Sequence, residues 1–528
     1  MYPQIRYFLF IFVLILLFVT GQAYKNVIFS TKFVDEEYNF AIGKYLAKGE
    51  ILYDDIITNH QPVTHILSGL LQKKENPDTT YALIKSQRTA IINWSAIWSI
   101  ILVFYFGLAG LIFVFIYELT KIHFYGNLFL AETIVVYPLV FLIGLSIFRK
   151  IPLRAFELFF SGSLIAFLTL TLGPIYPAIF FLTLLFLINS KKSLIFGLSG
   201  AFAFFLLVLP FINIPGFFQH YFFGNLENMV PQTKEYWISA ITQSFASPIL
   251  SFQDSSPNDN LKLIRILSIT LILNLVYFLF KRKFFLTVTI IILSGLLNLR
   301  FIRPGEGHAG GFHLLPWYAS LVFITSVLLL HNTEQSFGLR TQDRRLTARL
   351  QLGNKNFRLR YLAALLQGSS FVKQIKSNSS LFFKGLNILL FVIALNLSFS
   401  YAKQNLFIQK DAKKDFEVFF SNHTKIGESI KNLKKPGDTL FVFPDAWLVY
   451  WQSDIDHLPK LFGYYTWMSG IPKLQKQVNY AFINFPPTFY YCEGCEGVDL
   501  YKYLNKYTEA KGYEGKKNLY ILPRENTN

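Results

Sequence analysis

The sequence is short of charge, of acidic residues and of cysteine. Charged residues are 16% of the 528, against about 25% in soluble proteins, so the chain lacks the polar surface that water requires. Two cysteines cannot hold a chain of this length together, which excludes a disulfide-stapled secreted module. A glycine-rich phosphate loop is also missing, so a nucleotide or nucleotide-sugar site has no support.

Hydrophobic residues dominate instead, at 52%, with 57 Phe and 29 Tyr. This composition excludes a disordered chain and indicates a polytopic α-helical membrane protein, since about 20 apolar residues cross a bilayer as one helix. In such a protein the net charge of +18 indicates basic cytoplasmic loops and not nucleic-acid binding. The apolar runs lie near residues 9–20, 91–118, 124–146, 155–172, 174–189, 194–212, 263–280, 284–301, 314–330 and 381–402.

Polar stretches between these runs set the predicted orientation. Residues 331–380 carry nine Lys and Arg against two acids, so the positive-inside rule places them in the cytoplasm. Residues 24–88, 213–262 and the tail 403–528 then lie on the outer face. We therefore predict a multi-pass transmembrane domain over 1–402 in the plasma membrane, with amphipathic helices in its first outer loop, followed by a small extracytoplasmic α/β domain.

The number of spans is open between nine and eleven. An inside N-terminus and an outside tail require an odd number, whereas ten apolar runs are apparent. If the stretch from Arg88 to Ser146 contains a third, short span, the total is eleven. If residues 155–189 cross only once, it is nine.

The first outer loop begins with a cluster of acids. Apolar residues recur at helical spacing from Asp35 to Lys48, which predicts a short helix lying on the membrane surface, and Gly49 suits its C-terminal turn. A carboxylate at the bilayer edge is a candidate general base for a hydroxyl nucleophile, because partial burial raises its pKa toward neutral. Asp35 and Glu36 are the candidate catalytic residues.

Three sequence elements follow the first apolar run: DEEY from Asp35, GEILYDD from Gly49, and HQP from His60. Together they resemble the first outer loop of GT-C membrane glycosyltransferases, in the branch similar to protein O-mannosyltransferases and the aminoarabinose transferases of lipid A. Gln61 stands where a Pro is common in that pattern. The matching positions are Asp35, Glu36, Gly49, Tyr53, Asp55, His60 and Pro62.

The resemblance continues at Arg300 and Arg303, which precede a His-containing entry into a helix at His313, and in the α/β-like tail. It implies an inverting transfer of a sugar from a polyprenyl-phosphate donor to a glycan, lipid or protein hydroxyl at the outer face. Asp35 would take the hydroxyl proton. The implied substrate-binding residues are Tyr53, Asp55, His60, Arg300, Arg303 and His313. No cofactor is predicted, and no motif supports a divalent metal.

Other polar residues are less specific. Glu132 and Glu157 lie within apolar runs, where ionisable groups tend to mark function, and the resemblance does not decide between them. Cys492 and Cys495 are spaced for a local disulfide rather than for zinc. The D-x-D at Asp454 lies in the tail, and we interpret it as a solvated loop.

Two other protein classes fit a basic polytopic chain. A lipid or glycan flippase or transporter is expected to show internal repeats and helices broken at matching places, and no repeat is found in the sequence. A non-catalytic scaffold of envelope assembly would keep the fold without the chemistry. Such a scaffold would tolerate Asp35→Asn, whereas an enzyme that uses Asp35 as its base would not.

Overall fold

The computed structural model describes residues 3–149, 152–188, 191–223, 234–250, 259–299, 311–331, 370–444, 446–459, 472–493, 499–510 and 518–523. The helices are α1 (Pro3–Asn26), α2 (Val34–Lys48), α3 (Pro62–Glu75), α4 (Thr80–Phe106), α5 (Leu108–Thr120), α6 (Ala131–Ile143), α7 (Ala155–Thr169), α8 (Tyr176–Ile188), α9 (Lys191–Val208), α10 (Lys234–Leu250), α11 (Asp259–Phe280), α12 (Phe284–Leu297), α13 (Leu315–His331), α14 (Ser370–Asn405), α15 (Ala412–Leu433), α16 (Trp447–Ser453) and α17 (Pro472–Asn484). The strands are β1 (Thr439–Phe443), β2 (Asp456–His457), β3 (Phe489–Cys492), β4 (Thr508–Glu509) and β5 (Leu519–Ile521).

Apolar helices make up most of the chain. Within the described residues, seven helices are long and apolar enough to cross a bilayer, and three shorter apolar helices accompany them. Large apolar side chains such as Phe8 on α1 and Phe202 and Leu207 on α9 are more than 60% exposed. Apolar surface on this scale is compatible with lipid contact and costly in water. The architecture agrees with the predicted membrane-embedded helical protein.

The apolar run at 91–118 forms two helices rather than one. Gly107, with φ 58°, separates α4 from α5. Lys121 Nζ donates to Ser95 Oγ at 2.8 Å, so α5 runs back alongside α4. The close approach needs a glycine, because a Cβ on Gly110 would lie 2.4 Å from the Leu102 carbonyl oxygen. The stretch from Arg88 to Ser146 therefore contains the third, short helix that the sequence left open.

The ends of distant helices meet at one end of the bundle. The C-terminal ends of α1, α5 and α14 pack together through Tyr24, Leu119 and Leu406. His313, just before α13, lies 3.1 Å from Glu132 in the first turn of α6. This end also carries α2, α3 and the C-terminal domain, so the segments predicted to share the outer face lie together.

The short helix predicted from Asp35 to Lys48 is confirmed as α2, but most of its residues are buried against the rest of the protein rather than lying on a surface. It ends at Gly49, whose φ of 101° is the left-handed conformation expected of a glycine at this position. α3 packs closely beside it, since a Cβ on Gly43 would lie 2.5 Å from Ser68 Oγ. Because α1 continues to Asn26 and α4 begins at Thr80, the loop is shorter than the predicted 24–88.

Two other predicted loops are only partly described. The outer stretch 213–262 contains α10, which packs on α12 where Phe245 meets Gly295. The amide of Asn298, just after α12, also donates to the Ser244 carbonyl at 3.4 Å. Within the basic stretch 331–380, residues 332–369 lie outside the described residues.

The tail folds as a small α/β domain. Its sheet has the order β2-β1-β3-β5-β4, with β1 parallel to β2 and β3, and β5 antiparallel to β3 and β4. Helix α16 follows β1, and its Trp447 and Tyr450 are fully buried. Core packing therefore accounts for these two aromatic residues of the tail.

Candidate active site

The first turn of α2 presents three consecutive acids to different surroundings. Asp35 is half-buried, whereas Glu36 and Glu37 are 1% and 0% exposed. Glu36 faces the membrane helix α4, and Glu37 faces the C-terminal domain. Asp35 is thus the acid of the three that solvent or a substrate reaches most easily.

Glu36 is fixed by Arg88 of α4. The Arg88 Nε donates to the two carboxylate oxygens of Glu36 at 3.0 and 3.1 Å, and Nη2 also donates to Oε2. The backbone N–H of Phe129 donates to Oε1 at 2.8 Å. A carboxylate with this many donors is suited to anchoring rather than to proton transfer. The geometry therefore favours Asp35 over Glu36 as the base.

Hydrogen bonds connect the predicted binding residues Tyr53 and His60 to α2. The Tyr53 hydroxyl donates to the His60 carbonyl oxygen at 2.7 Å. The Tyr38 hydroxyl donates to Thr58 Oγ1 at 3.0 Å, and the His60 N–H donates to the same oxygen at 3.1 Å. Burial raises the pKa of Tyr38, and the negative charge of nearby Asp35 raises it further against the hydrogen bond to Thr58. Asp35 is thus electrostatically coupled to this network.

A buried histidine lies behind the network. His65 of α3 is fully buried, and neither of its ring nitrogens hydrogen-bonds to a described residue. Its ring centroid is 5.6 Å from that of Tyr38 and 6.1 Å from that of His60. Burial lowers the pKa of His65 well below its ordinary value, and the neighbouring His60 lowers it further. The imidazole therefore packs as a neutral ring.

Asp55 has a local structural contact. It is exposed, and its Oδ2 accepts the N–H of Ile51 at 2.9 Å, which closes the turn before His60. Leu52 in the same turn exchanges backbone hydrogen bonds with Phe211 and Asn213, at 3.0 and 2.8 Å. Asp55 thus supports the contact between this turn and the segment that follows α9, and its substrate-binding role stays a prediction.

The segment after α9 covers the first outer loop. Gln61, which replaces the common Pro of the resembled pattern, donates to the hydroxyl of Tyr221. Phe217 packs on Tyr53 with ring centroids 5.3 Å apart, and a Cβ on Gly216 would lie 2.1 Å from the Tyr53 carbonyl oxygen. The departure at position 61 therefore serves a specific contact between segments.

The starts of α2, α6 and α13 converge. Phe33, just before α2, contacts Tyr125 and Phe312 with ring centroids 5.2 and 4.7 Å apart. The predicted binding residue His313 pairs with Glu132 at the same place. Of the two intramembrane acids left open by the sequence, Glu132 is the one near the first turn of α2.

Glu157 lies beyond the opposite end of α6. It accepts a hydrogen bond from Arg149 Nη1 at 2.8 Å and another from the backbone N–H of Arg154 at 2.8 Å. These hydrogen bonds and the ion pair with Arg149 compensate the partly buried carboxylate. Glu157 is thus explained by the cap it forms on α7.

The other residues singled out in the sequence lie outside the described residues or in the C-terminal domain. Arg300, Arg303 and Cys495 lie outside the described residues, whereas Cys492 is disulfide-bonded. Across the part of the chain that the structure describes, no group of three or more His, Cys, Asp or Glu side chains is placed to hold a metal ion.

Asp454 is not simply a solvated acid, and the structure corrects that interpretation. It lies 2.7 Å from Lys44 Nζ, 3.0 Å from Lys48 Nζ and 3.6 Å from Lys434 Nζ. The first two lysines belong to α2, so Asp454 joins the C-terminal domain to this helix. Asp454 is therefore held by ion pairs with these lysines and is not surrounded by solvent alone.

The sequence patterns missed the residues that hold α2 in place, Arg88, Lys32 and His423. Only Arg88 carried a signal, because an ionisable residue inside an apolar helix needs a buried partner. His423 contacts α2 from a distant part of the chain, and Lys32, just before α2, has no sequence pattern that marks its contact with Glu37.

Comparison with known proteins adds no assignment: no family model, curated protein or solved structure matches this chain. The site itself is therefore the basis for a function. Its elements are a half-buried acid on a fixed helix turn, a hydrogen-bonded Tyr–His loop beside it, and a His–Glu pair across from it.

Proposed function

We propose that this chain is an integral-membrane glycosyltransferase that moves a sugar from a polyprenyl-phosphate donor to an acceptor hydroxyl at the outer face. The supporting observation is the first turn of α2, where Arg88 fixes Glu36 and the adjacent Asp35 stays half-buried. A general base works best when its position is fixed and its carboxylate is partly shielded from water. Asp35 meets both conditions.

The proposed reaction is a single displacement. Asp35 takes the proton of the acceptor hydroxyl while the hydroxyl oxygen forms a bond to the anomeric carbon. The bond between that carbon and the carrier phosphate oxygen breaks on the opposite face, and the phosphate leaves with the electron pair. The configuration at the anomeric carbon inverts. The products are the glycosylated acceptor, a protonated Asp35 and the lipid phosphate.

The leaving phosphate needs positive potential where its charge develops. The N-terminal ends of α2, α6 and α13 meet near Phe33, and a helix N-terminus carries roughly half a positive charge. His313 lies at this point. Arg300 and Arg303 remain the sequence-based candidates for direct phosphate contact.

An outer-face site agrees with the helix directions. The seven long and three shorter apolar helices, counted together with the 13-residue helix α5, make eleven helices within the described residues, the odd number that an inside N-terminus and an outside tail require. The hairpin of α4 and α5 supplies the third helix between Arg88 and Ser146. We therefore favour eleven spans over nine, in a cell-surface membrane.

The test is transfer of radiolabelled sugar from a panel of polyprenyl-phosphate sugars by the purified full-length protein. Asp35→Asn is expected to reduce transfer by at least about 100-fold without changing the unfolding temperature. Asp54→Asn, an exposed acid in the same loop, is the matched control and is expected to transfer normally. Equal transfer by wild type and Asp35→Asn would remove Asp35 from the mechanism. Inactivity of the wild type with every donor would favour a flippase or a scaffold.

A further inference from the structure

Glu37, at the start of α2, is as deeply buried as Glu36. Its side chain is 1% exposed, and neither carboxylate oxygen hydrogen-bonds to a described residue. Two cationic groups lie at ion-pair distance instead: His423 Nδ1 is 3.6 Å from Oε2, and Lys32 Nζ is 3.8 Å from Oε1. A buried carboxylate is costly unless it is paired, so these two contacts offset the burial of Glu37.

His423 comes from α15 of the C-terminal domain and is itself buried. Its Nε2 lies 3.4 Å from the carboxylate of Glu493, its Nδ1 lies 3.1 Å from Lys32 Nζ, and Tyr491 packs against the ring. Burial lowers the pKa of His423, and so does the charge of Lys32. The carboxylates of Glu37 and Glu493 raise the pKa by more, so that it lies above its ordinary value.

The first turn of α2 is thus held from two sides by different parts of the chain. Arg88 of the membrane helix α4 fixes Glu36, and His423 of the C-terminal domain contacts Glu37. We infer that His423 is a positioning residue for Asp35: through Glu37, the C-terminal domain sets where the Asp35 carboxylate lies. This inference rests on the proposed role of Asp35 as the general base.

The contact is expected to depend on pH. Because the folded protein raises the pKa of His423, the contact contributes its full stability below the unfolded pKa of about 6.5. That contribution is lost as the pH rises through the higher pKa that His423 has in the folded protein. The first turn of α2 is then expected to loosen, and sugar transfer to slow, on the alkaline side of this window.

The test uses the full-length protein with His423→Gln, and with His457→Gln as a matched control. His457 Nε2 lies 2.9 Å from the carboxylate of Glu50, just beyond the other end of α2. The control therefore breaks a histidine–carboxylate contact between the same two parts of the chain. Amide hydrogen exchange of α2 and sugar-transfer kinetics are followed from about pH 6 to about pH 9.

The first-turn protection is read from the amides of Glu37 to Phe40, which donate to the carbonyl oxygens at the start of α2. In the wild type it is expected to fall several-fold across this window, after correction for intrinsic exchange. His423→Gln is expected to show the low protection at every pH. It is also expected to lower kcat roughly 10- to 100-fold with KM for the donor unchanged, because a small displacement of the base slows chemistry without weakening binding. His457→Gln is expected to keep the wild-type pH profile in the first turn.

Equal first-turn protection in wild type and His423→Gln at every pH overturns the inference, whether or not the chain transfers sugar. Lost protection with an unchanged kcat overturns it as well. Another outcome is that the wild type transfers no sugar while His423→Gln still lowers first-turn protection. That result supports the contact between His423 and Glu37 as what holds the first turn, and it does not support the proposed function. If His423→Gln does not fold, Glu37→Gln removes the same contact from the α2 side and is judged by the same criteria.

Discussion

Arg88 and Glu36 form a buried ion pair across 52 residues of sequence, with both side chains 1% exposed. The same guanidinium donates to the backbone carbonyls of Ile28 and Thr31, in the link between α1 and α2. One side chain of α4 therefore fixes both the exit from α1 and the first turn of α2.

Removing Arg88 is expected to destabilise the protein strongly. Arg88→Met leaves the Glu36 carboxylate buried without its cation, which we expect to cost about 3–5 kcal/mol of unfolding free energy. The unfolding temperature in detergent, followed by tryptophan fluorescence, measures this. Arg149→Met is the matched control, because the Arg149–Glu157 pair is 20% and 10% exposed and water offsets part of its loss. Equal losses for the two variants would contradict the anchoring role.

The contact between α7 and α9 is expected to depend on glycine. A Cβ on Gly200 would lie 1.8 Å from the Phe159 carbonyl oxygen, so Gly200→Ala is expected to cost about 1–3 kcal/mol. Gly197→Ala, one turn earlier on α9, places its Cβ where nothing lies within 4 Å. That variant is expected to be neutral or up to about 1 kcal/mol more stable. A similar loss at both positions, seen in their unfolding temperatures, would show that close packing is not the cause.

Asp454→Asn is expected to weaken the junction between α2 and the C-terminal domain in a pH-dependent way. Burial lowers the pKa of Lys44 to about 8, although Asp454 raises it. Loss of the carboxylate leaves the buried Lys44 ammonium without its closest negative charge. The expected loss of unfolding free energy near pH 7 is only roughly 1–2 kcal/mol, because Asp454 is 45% exposed and water screens its charge.

The unfolding free energy that Asp454→Asn loses is expected to become smaller as the pH rises toward about 10. At that pH Lys44 is neutral in wild type and variant. The loss of its ion pair with Asp454 then no longer makes the variant less stable than the wild type. The measurement is the difference in unfolding temperature between wild type and variant at each pH. A difference that stays constant or grows with pH would contradict the assignment of Lys44 as the responsible partner.

Local sequence signals predicted the elements that depend on local physics. The apolar spacing from Asp35 to Lys48 and the glycine that follows it predicted α2, because helix periodicity and the left-handed conformation of Gly49 are properties of short segments. A third helix between Arg88 and Ser146 stayed one of two alternatives, since an apolar run does not reveal where its chain reverses.

The candidate site was only partly predictable. The sequence indicated Asp35, Glu36 and His313 as polar residues at helix starts, but it did not indicate which acid forms a buried ion pair and which is half-buried. That distinction depends on Arg88 and His423, which approach α2 from 52 and 386 positions away and show no pattern relative to it.

Composition and periodicity by themselves determined that this chain is a helical membrane protein with a short helix that begins with acids and a separate tail domain, because hydrophobic burial follows from the residues along each segment. Tertiary structure alone decided the roles of the three acids of α2. Each acid meets a different partner, and the free energy of a buried charge is set by the groups that surround it in space.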